Sequence, residues 1–149
     1  MNIKGFLAPT DVLADFAALG KTPLLQALAQ RASDRLKLPT ELISSSLLKR
    51  EELGSTGTGG GIAIPHAHIP GLAKPFGMLL RLRQPIDFDA IDDRPVDLIF
   101  LLLLPVASNN EQLNALASVA RILRNPESVR SLRRAGDPAD LFRVMATLV

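Results

Sequence analysis

GSTGTGGGIAIPHAHIPG, residues Gly54 to Gly71, is the stretch whose reading decides how the rest of the chain is arranged. Five of the protein's ten glycines fall within its first eight residues, and its only two histidines, His66 and His68, stand near its end. A Gly/Ser/Thr run feeds a short apolar segment, Gly61 to Ile64, which closes at Pro65 and presents His66. The order spells a loop, a buried strand and a reactive group at the strand's end. Proline fixes φ and has no N–H, so it ends the strand and restricts how His66 can point. An imidazole titrates near 6.5, so at neutral pH its ring nitrogen can be a base, a metal ligand or a nucleophile. The upstream backbone N–H groups, with the hydroxyls of Ser55 and Thr56, can surround an anion. Ser55 and Thr56 are equally at home as turn formers. A nucleophilic nitrogen beside a donor-rich loop suits phosphoryl transfer, in which positioning and charge stabilisation dominate.

Two better-known phosphate motifs fail on this stretch. A dinucleotide G-x-G-x-x-G beginning at Gly57 needs glycine where Ile62 stands, and a P-loop beginning at Gly54 needs lysine where Gly60 stands. The glycines also precede the apolar strand, whereas both motifs have them follow one into a helix. A plain flexible loop is the alternative. The pair His66-x-His68 invites a metal reading, because residues i and i+2 of a strand share a side, and Asp87 and Asp89 are candidates to complete such a site. Two histidines are few for a metallohydrolase, and the expectation is no metal. His68 reads as a polar rim neighbour that tunes charge.

Two blocks carry a resemblance: KREELGSTGTGGGIAIPHA, Lys49 to Ala67, and PIDFDAIDDRPVDLIFLLLLP, Pro85 to Pro105. Together they resemble a IIA domain of the phosphoenolpyruvate-dependent phosphotransferase system. The likeness is to the fructose/mannitol type, most closely the stand-alone nitrogen-regulatory IIA proteins, and spans nearly the whole chain. It implies a single IIA type 2 domain over residues 1–149, of α/β class, with a mixed β-sheet flanked by helices. It also implies that His66 is a tele-phosphohistidine, accepting the phosphoryl group on Nε2 from an HPr-type carrier, with no cofactor. Arg50 falls on the arginine that the family places beside the phosphorylated histidine, and its planar fork suits phosphate oxygens. The bland alternative for Arg50 is a cation at a helix C-terminus. His68 falls where the family often has a basic residue. Gln112 stands where many members have a second histidine, a neutral donor and acceptor in place of a titrating one. The implied roles are nitrogen- and potassium-linked regulation or, alternatively, sugar uptake with transfer to a separate IIB protein.

Composition is compatible with all of this. The chain has 149 residues, enough for one well-filled core, and 17 basic against 15 acidic side chains leave a net charge of only +2. So small an excess gives little reason to expect a nucleic-acid partner. The arginines of the C-terminal third, Arg121, Arg124, Arg130, Arg133, Arg134 and Arg143, are interspersed with acids and have no interleaved Trp or Tyr. They read first as a solvated helical face and second as a dock for an acidic partner. With no cysteine there is no disulfide, thiol nucleophile or fused cysteine-phosphorylated IIB domain to expect. Met1–Phe6 lacks a signal-peptide core, and the apolar run Leu98–Leu104 is far shorter than the roughly 20 residues of a membrane span. A soluble, cytoplasmic protein is expected.

Outward from the signature, Val12 to Ala17 reads as an edge strand. A helix capped by Thr22 before Pro23 runs to near Leu38-Pro39, with Leu24, Leu25, Leu28, Ala29 and Ala32 inward. A second, from Thr40 to about Leu53, buries Leu42, Ile43, Leu47 and Leu48 and ends on Lys49 and Arg50. Phe76–Leu82 reads as a strand, the acidic Pro85–Arg94 as a loop or short edge segment, and Val96–Leu104 as a central strand buried on both faces. Ser108 is a candidate cap for a helix to about Arg124 with Leu113, Leu116, Ala117, Ala120 and Leu123 inward. Pro126 and Asp137-Pro138 open two more, the last burying Leu141, Val144, Met145 and Leu148.

Overall fold

A computed structural model of the chain describes residues 3–107 and 110–148, the side chains of 110–113 excepted. Its strands are β1 (Val12–Phe16), β2 (Gly57–Gly59), β3 (Ile62–Ala63), β4 (His66–Ile69), β5 (Phe76–Ile86) and β6 (Val96–Pro105). Its helices are α1 (Lys21–Leu36), α2 (Thr40–Glu52), α3 (Asn110–Arg124), α4 (Pro126–Arg134) and α5 (Pro138–Thr147). The apolar run does become the centre of a mixed sheet, ordered β1-β5-β6-β3-β2, with β4 also paired to β6. Strand β5 is antiparallel to β6, while β1 is parallel to β5 and forms the edge expected of it. Alternate residues of β6 face two separate clusters. Leu98, Phe100, Leu102 and Leu104 pack toward α3, α4 and α5, and Ile99, Leu101 and Leu103 toward α1 and α2. Each is essentially inaccessible, and removing one such leucine side chain typically costs about 2–5 kcal/mol.

β3 and β4 behave as one strand interrupted at Pro65. Every pair from Ile62↔Leu98 to Ile69↔Pro105 differs by the same 36 positions, so the proline breaks the ladder without shifting its register. Pro65 cannot donate, yet its carbonyl still accepts the Leu102 N–H at 2.9 Å. Side-chain alternation therefore runs straight through: Ile62 and Ile64 enter one core cluster, and Ala63, Ala67 and Ile69 the other.

Several details depart from the pattern-based expectations. The glycine run is not a free loop: Gly57–Gly59 pairs antiparallel with β3, and Gly59, Gly60 and Gly61 turn the hairpin at φ of 100°, 68° and 83°. Glycine is a poor strand former, so the pairing comes from tertiary context, and these positive φ values require it. α1 starts at Lys21 on an uncapped Gly20, with Thr22 already inside and Pro23 at the third helical position, where an unpaired N–H is tolerated. β5 continues past Leu82 to Ile86, its register shifting between Arg81 and Ile86, which accommodates Pro85. The acidic segment after it is anchored, since Phe88 and Ala90 are buried. On α3 the inward stripe is Ala115, Val119, Ile122 and Leu123, and Ala117 is exposed. The proposed Ser108 cap and the inward Leu113 lie outside the described residues and side chains. α4 and α5 open as expected, with Asn125 and Asp137 accepting the N–H of Glu127 and Asp140.

Candidate functional site

His66 is the first residue of β4, at a level where that strand pairs with β6 alone. The outward carbonyl of Ile64 is thereby free to accept the Nδ1–H of His66 at 2.8 Å. With Nδ1 so engaged, the hydrogen-bond network assigns the lone pair to Nε2. Arg50, in the last turn of α2, reaches the same ring: its Nε lies 3.3 Å from His66 Nε2, and its Nη1 donates to the Gly54 carbonyl at 2.8 Å. No hydrogen bond within the described residues uses Arg50 Nη2, which leaves donors for an incoming oxygen. The two open onto a cavity of about 640 Å³, shared with Ser46, Lys49, Leu53 and His68.

Burial, above all, holds the His66 imidazole below its ordinary range, and the charges of Arg50 and His68 push it the same way. The hydrogen bond to Ile64 and the charge of Glu51 oppose that shift without reversing it. The result is a neutral, half-buried ring with an accessible Nε2 lone pair and a guanidinium beside it. Such a pair can form a bond to an electrophilic phosphorus and stabilise charge on its oxygens.

The other sequence candidates fall elsewhere. Ser55 and Thr56 do not line this cavity. The Ser55 hydroxyl donates to the Phe88 carbonyl at 2.8 Å and accepts the Gly57 N–H at 3.0 Å. Buried Thr56 gives both its N–H and its hydroxyl to the Glu51 carboxylate. The glycine turn packs instead against Asp92, Asp97 and Arg133. Gln112 belongs to α3, but its side chain lies outside the described part. Among the described residues no group of three or more His, Cys, Asp or Glu is placed to hold a metal, and Asp89 pairs with Lys21 at 3.6 Å. No described helix is long and apolar enough to cross a membrane.

Two positioning residues escape a sequence reading. Glu51, whose side chain is 5% exposed, joins Thr56 of the signature to Lys21 at the start of α1, the ion pair measuring 3.0 Å. A carboxylate in the last turn of a helix opposes the helix dipole, which was the one available hint that Glu51 is committed elsewhere. Lys21 also lies over the Phe88 ring, 4.8 Å from its centroid.

Comparison with known proteins agrees with this architecture. Residues 6–147 match the family model described as phosphoenolpyruvate-dependent sugar phosphotransferase system, EIIA 2. A nitrogen regulatory protein of Bradyrhizobium diazoefficiens is 40% identical over 146 residues, covering 98% of this chain and 95% of that one. The crystal structure of the nitrogen regulatory protein IIA-Ntr of Neisseria meningitidis superposes with a TM-score of 0.90 at 30% identity, over 96% of this chain and 98% of that one. The enzyme IIAMTL of Escherichia coli, in complex with phosphorylated enzyme IIBMTL, has a TM-score of 0.75 at 16% identity over 92% and 94%. That last likeness speaks for the fold alone. The chain is thus a member of the EIIA 2 family of the phosphotransferase system, among homologues named as nitrogen regulatory proteins.

Proposed function

We propose that this protein is a phosphoryl carrier whose acceptor is Nε2 of His66. The lone pair of Nε2 attacks the phosphorus of a phosphohistidine on an HPr-type donor protein. The new N–P bond forms as the donor's N–P bond breaks, and the donor imidazole leaves with that electron pair. The Nδ1 proton of His66 stays on Nδ1, hydrogen-bonded to the Ile64 carbonyl, throughout, and Arg50 slides from Nε2 to the equatorial oxygens as charge develops there. The observation that carries this reading is the pairing of the Nδ1–Ile64 hydrogen bond with Arg50 Nε at 3.3 Å from the opposite ring nitrogen. The phosphorylation state of His66 would then report to nitrogen-linked regulatory targets, a reading supported by the names of the relatives, and to potassium-linked ones, which rests on the family resemblance alone. Transfer onward to a IIB protein is the second reading, supported by the shared fold of IIAMTL.

The test is incubation with a phosphorylated HPr-type donor from the same genome. An acid-labile, base-stable phosphoprotein is expected, lost in His66→Ala and kept in His68→Ala. Label retained by folded His66→Ala overturns the assignment.

A further inference from the structure

The arginines of the C-terminal third are solvent-exposed, their side chains at 39% for Arg133, 54% for Arg130 and 66% for Arg143. Several of them wall an open groove of about 780 Å³ that shares no lining residue with the cavity of His66. Its lining brings together Arg94, from the segment before β6, Arg124, from the end of α3, and Arg134, from α4. Arg130, paired with Glu127 at 3.7 Å, and Arg133 stand with them, so the lining holds five guanidiniums and one carboxylate, Asp92. That carboxylate is already occupied, accepting the N–H groups of Gly60 at 2.9 Å and Arg94 at 3.1 Å. Arg133 is a structural member, held by Asp97 at 2.7 Å and by the Gly60 carbonyl at 2.9 Å. Arg124 and Arg134 make no side-chain hydrogen bond or ion pair within the described residues.

The floor has a different chemistry. Ile62, Leu123 and Val129 form its base, and Ile91, 83% exposed, stands at its rim. Unneutralised guanidiniums around a concavity focus a positive potential, and each offers a fork that fits phosphoryl oxygens. An apolar base beneath them suits an organic body more than a bare ion. We propose that this groove binds a soluble organic anion carrying two or more phosphoryl groups, a nucleoside diphosphate in size and charge. The proposal goes beyond the reading of His66 and does not rest on it.

Titration with ADP, followed by backbone-amide NMR shifts, tests it. Saturable binding is expected, with shifts at residues 59–62, 91–94 and 123–134, and weakening at high ionic strength. Arg124→Gln combined with Arg134→Gln should weaken it at least about tenfold, as loss of charge-assisted hydrogen bonds does. Arg143→Gln, which removes a cation that pairs with Asp140 outside the groove, should leave it unchanged. Inorganic pyrophosphate should bind more weakly than ADP, and His66→Ala should bind ADP like the wild type. Absence of saturation, undiminished affinity in the double variant, or pyrophosphate binding as tightly as ADP overturns the proposal. So does a glutamate-rich peptide that outcompetes ADP, which would make the groove a dock for an acidic protein.

Discussion

The Ile64 carbonyl accepts the Nδ1–H of His66 at 2.8 Å, two residues along the same strand. That bond fixes the tautomer, so the phosphoryl group is expected on Nε2. Nitrogen–phosphorus coupling patterns of the labelled phosphoprotein, measured by NMR, check this. A phosphoryl group found on Nδ1 would show that the hydrogen bond does not direct the chemistry.

A second expectation concerns pH. The imidazole of His66 is held below its ordinary range by burial first and by Arg50 and His68 after it. Neutral imidazole is the nucleophile, so phosphoryl acceptance should stay level as pH falls through about 6.5 and decline only below it. Because the folded value is depressed, the linked stability is fully present above the unfolded value near 6.5 and is lost as pH falls through the folded one. Arg50→Ala removes one lowering influence, so the midpoint of the His66 Cε1–H titration should move upward. A midpoint that stays put, or falls, contradicts the electrostatic role of Arg50.

Arg50→Lys keeps a cation but loses the fork that spans His66 and Gly54. Phosphoryl transfer should slow by roughly 10²-fold, the usual effect of losing one transition-state donor, with the circular dichroism spectrum unchanged. Rapid-quench transfer kinetics measure it, and a wild-type rate would leave Arg50 as a helix-end cation only.

Glu51→Ala is expected to be costly for a different reason. It leaves Lys21 without its 3.0 Å partner and the buried Thr56 without an acceptor for its N–H. A loss of about 2–4 kcal/mol in denaturant unfolding follows, since removing one partner of a buried pair strands the other. Thr56→Val, which keeps the N–H bond, should cost less. Equal losses in the two would mean that the ion pair contributes nothing.

Gly57→Ala tests the hairpin. A Cβ there would come within 2.9 Å of the Cα and Cβ of Ala90, and the backbone at that contact has to move. About 1–3 kcal/mol should be lost, the range for overpacking a tight site, whereas Gly136→Ala meets nothing within 4 Å and should be nearly silent. Thermal unfolding of the two variants side by side decides it.

Much of this site is legible in sequence because it rests on short-range chemistry. A proline followed by histidine after an apolar run, and nine apolar-rich residues before Pro105, announce a strand end and a buried centre without any tertiary information. What escaped detection depends on distant partners. Gly57–Gly59 becomes a strand only because β3 is already pinned to β6, and glycine composition argues for a loop. Ser55 and Thr56 have the residue types of an anion cradle, yet their groups are claimed by Phe88 and Glu51. The arginines of α4 have the spacing of a solvated face. That they share a groove with Arg94, Ile91 and the glycine turn depends on segments distant in sequence.

The unbroken register through Pro65 has a consequence for reliability of placement. Sliding this strand by a single position against β6 would exchange its two faces. Ile62 and Ile64 would leave one core, Ala67 and Ile69 the other, and the imidazole would be driven into hydrocarbon. No near-native misalignment is therefore cheap, and the acceptor nitrogen sits where it does because many apolar side chains would have to be wrong at once for it to sit anywhere else.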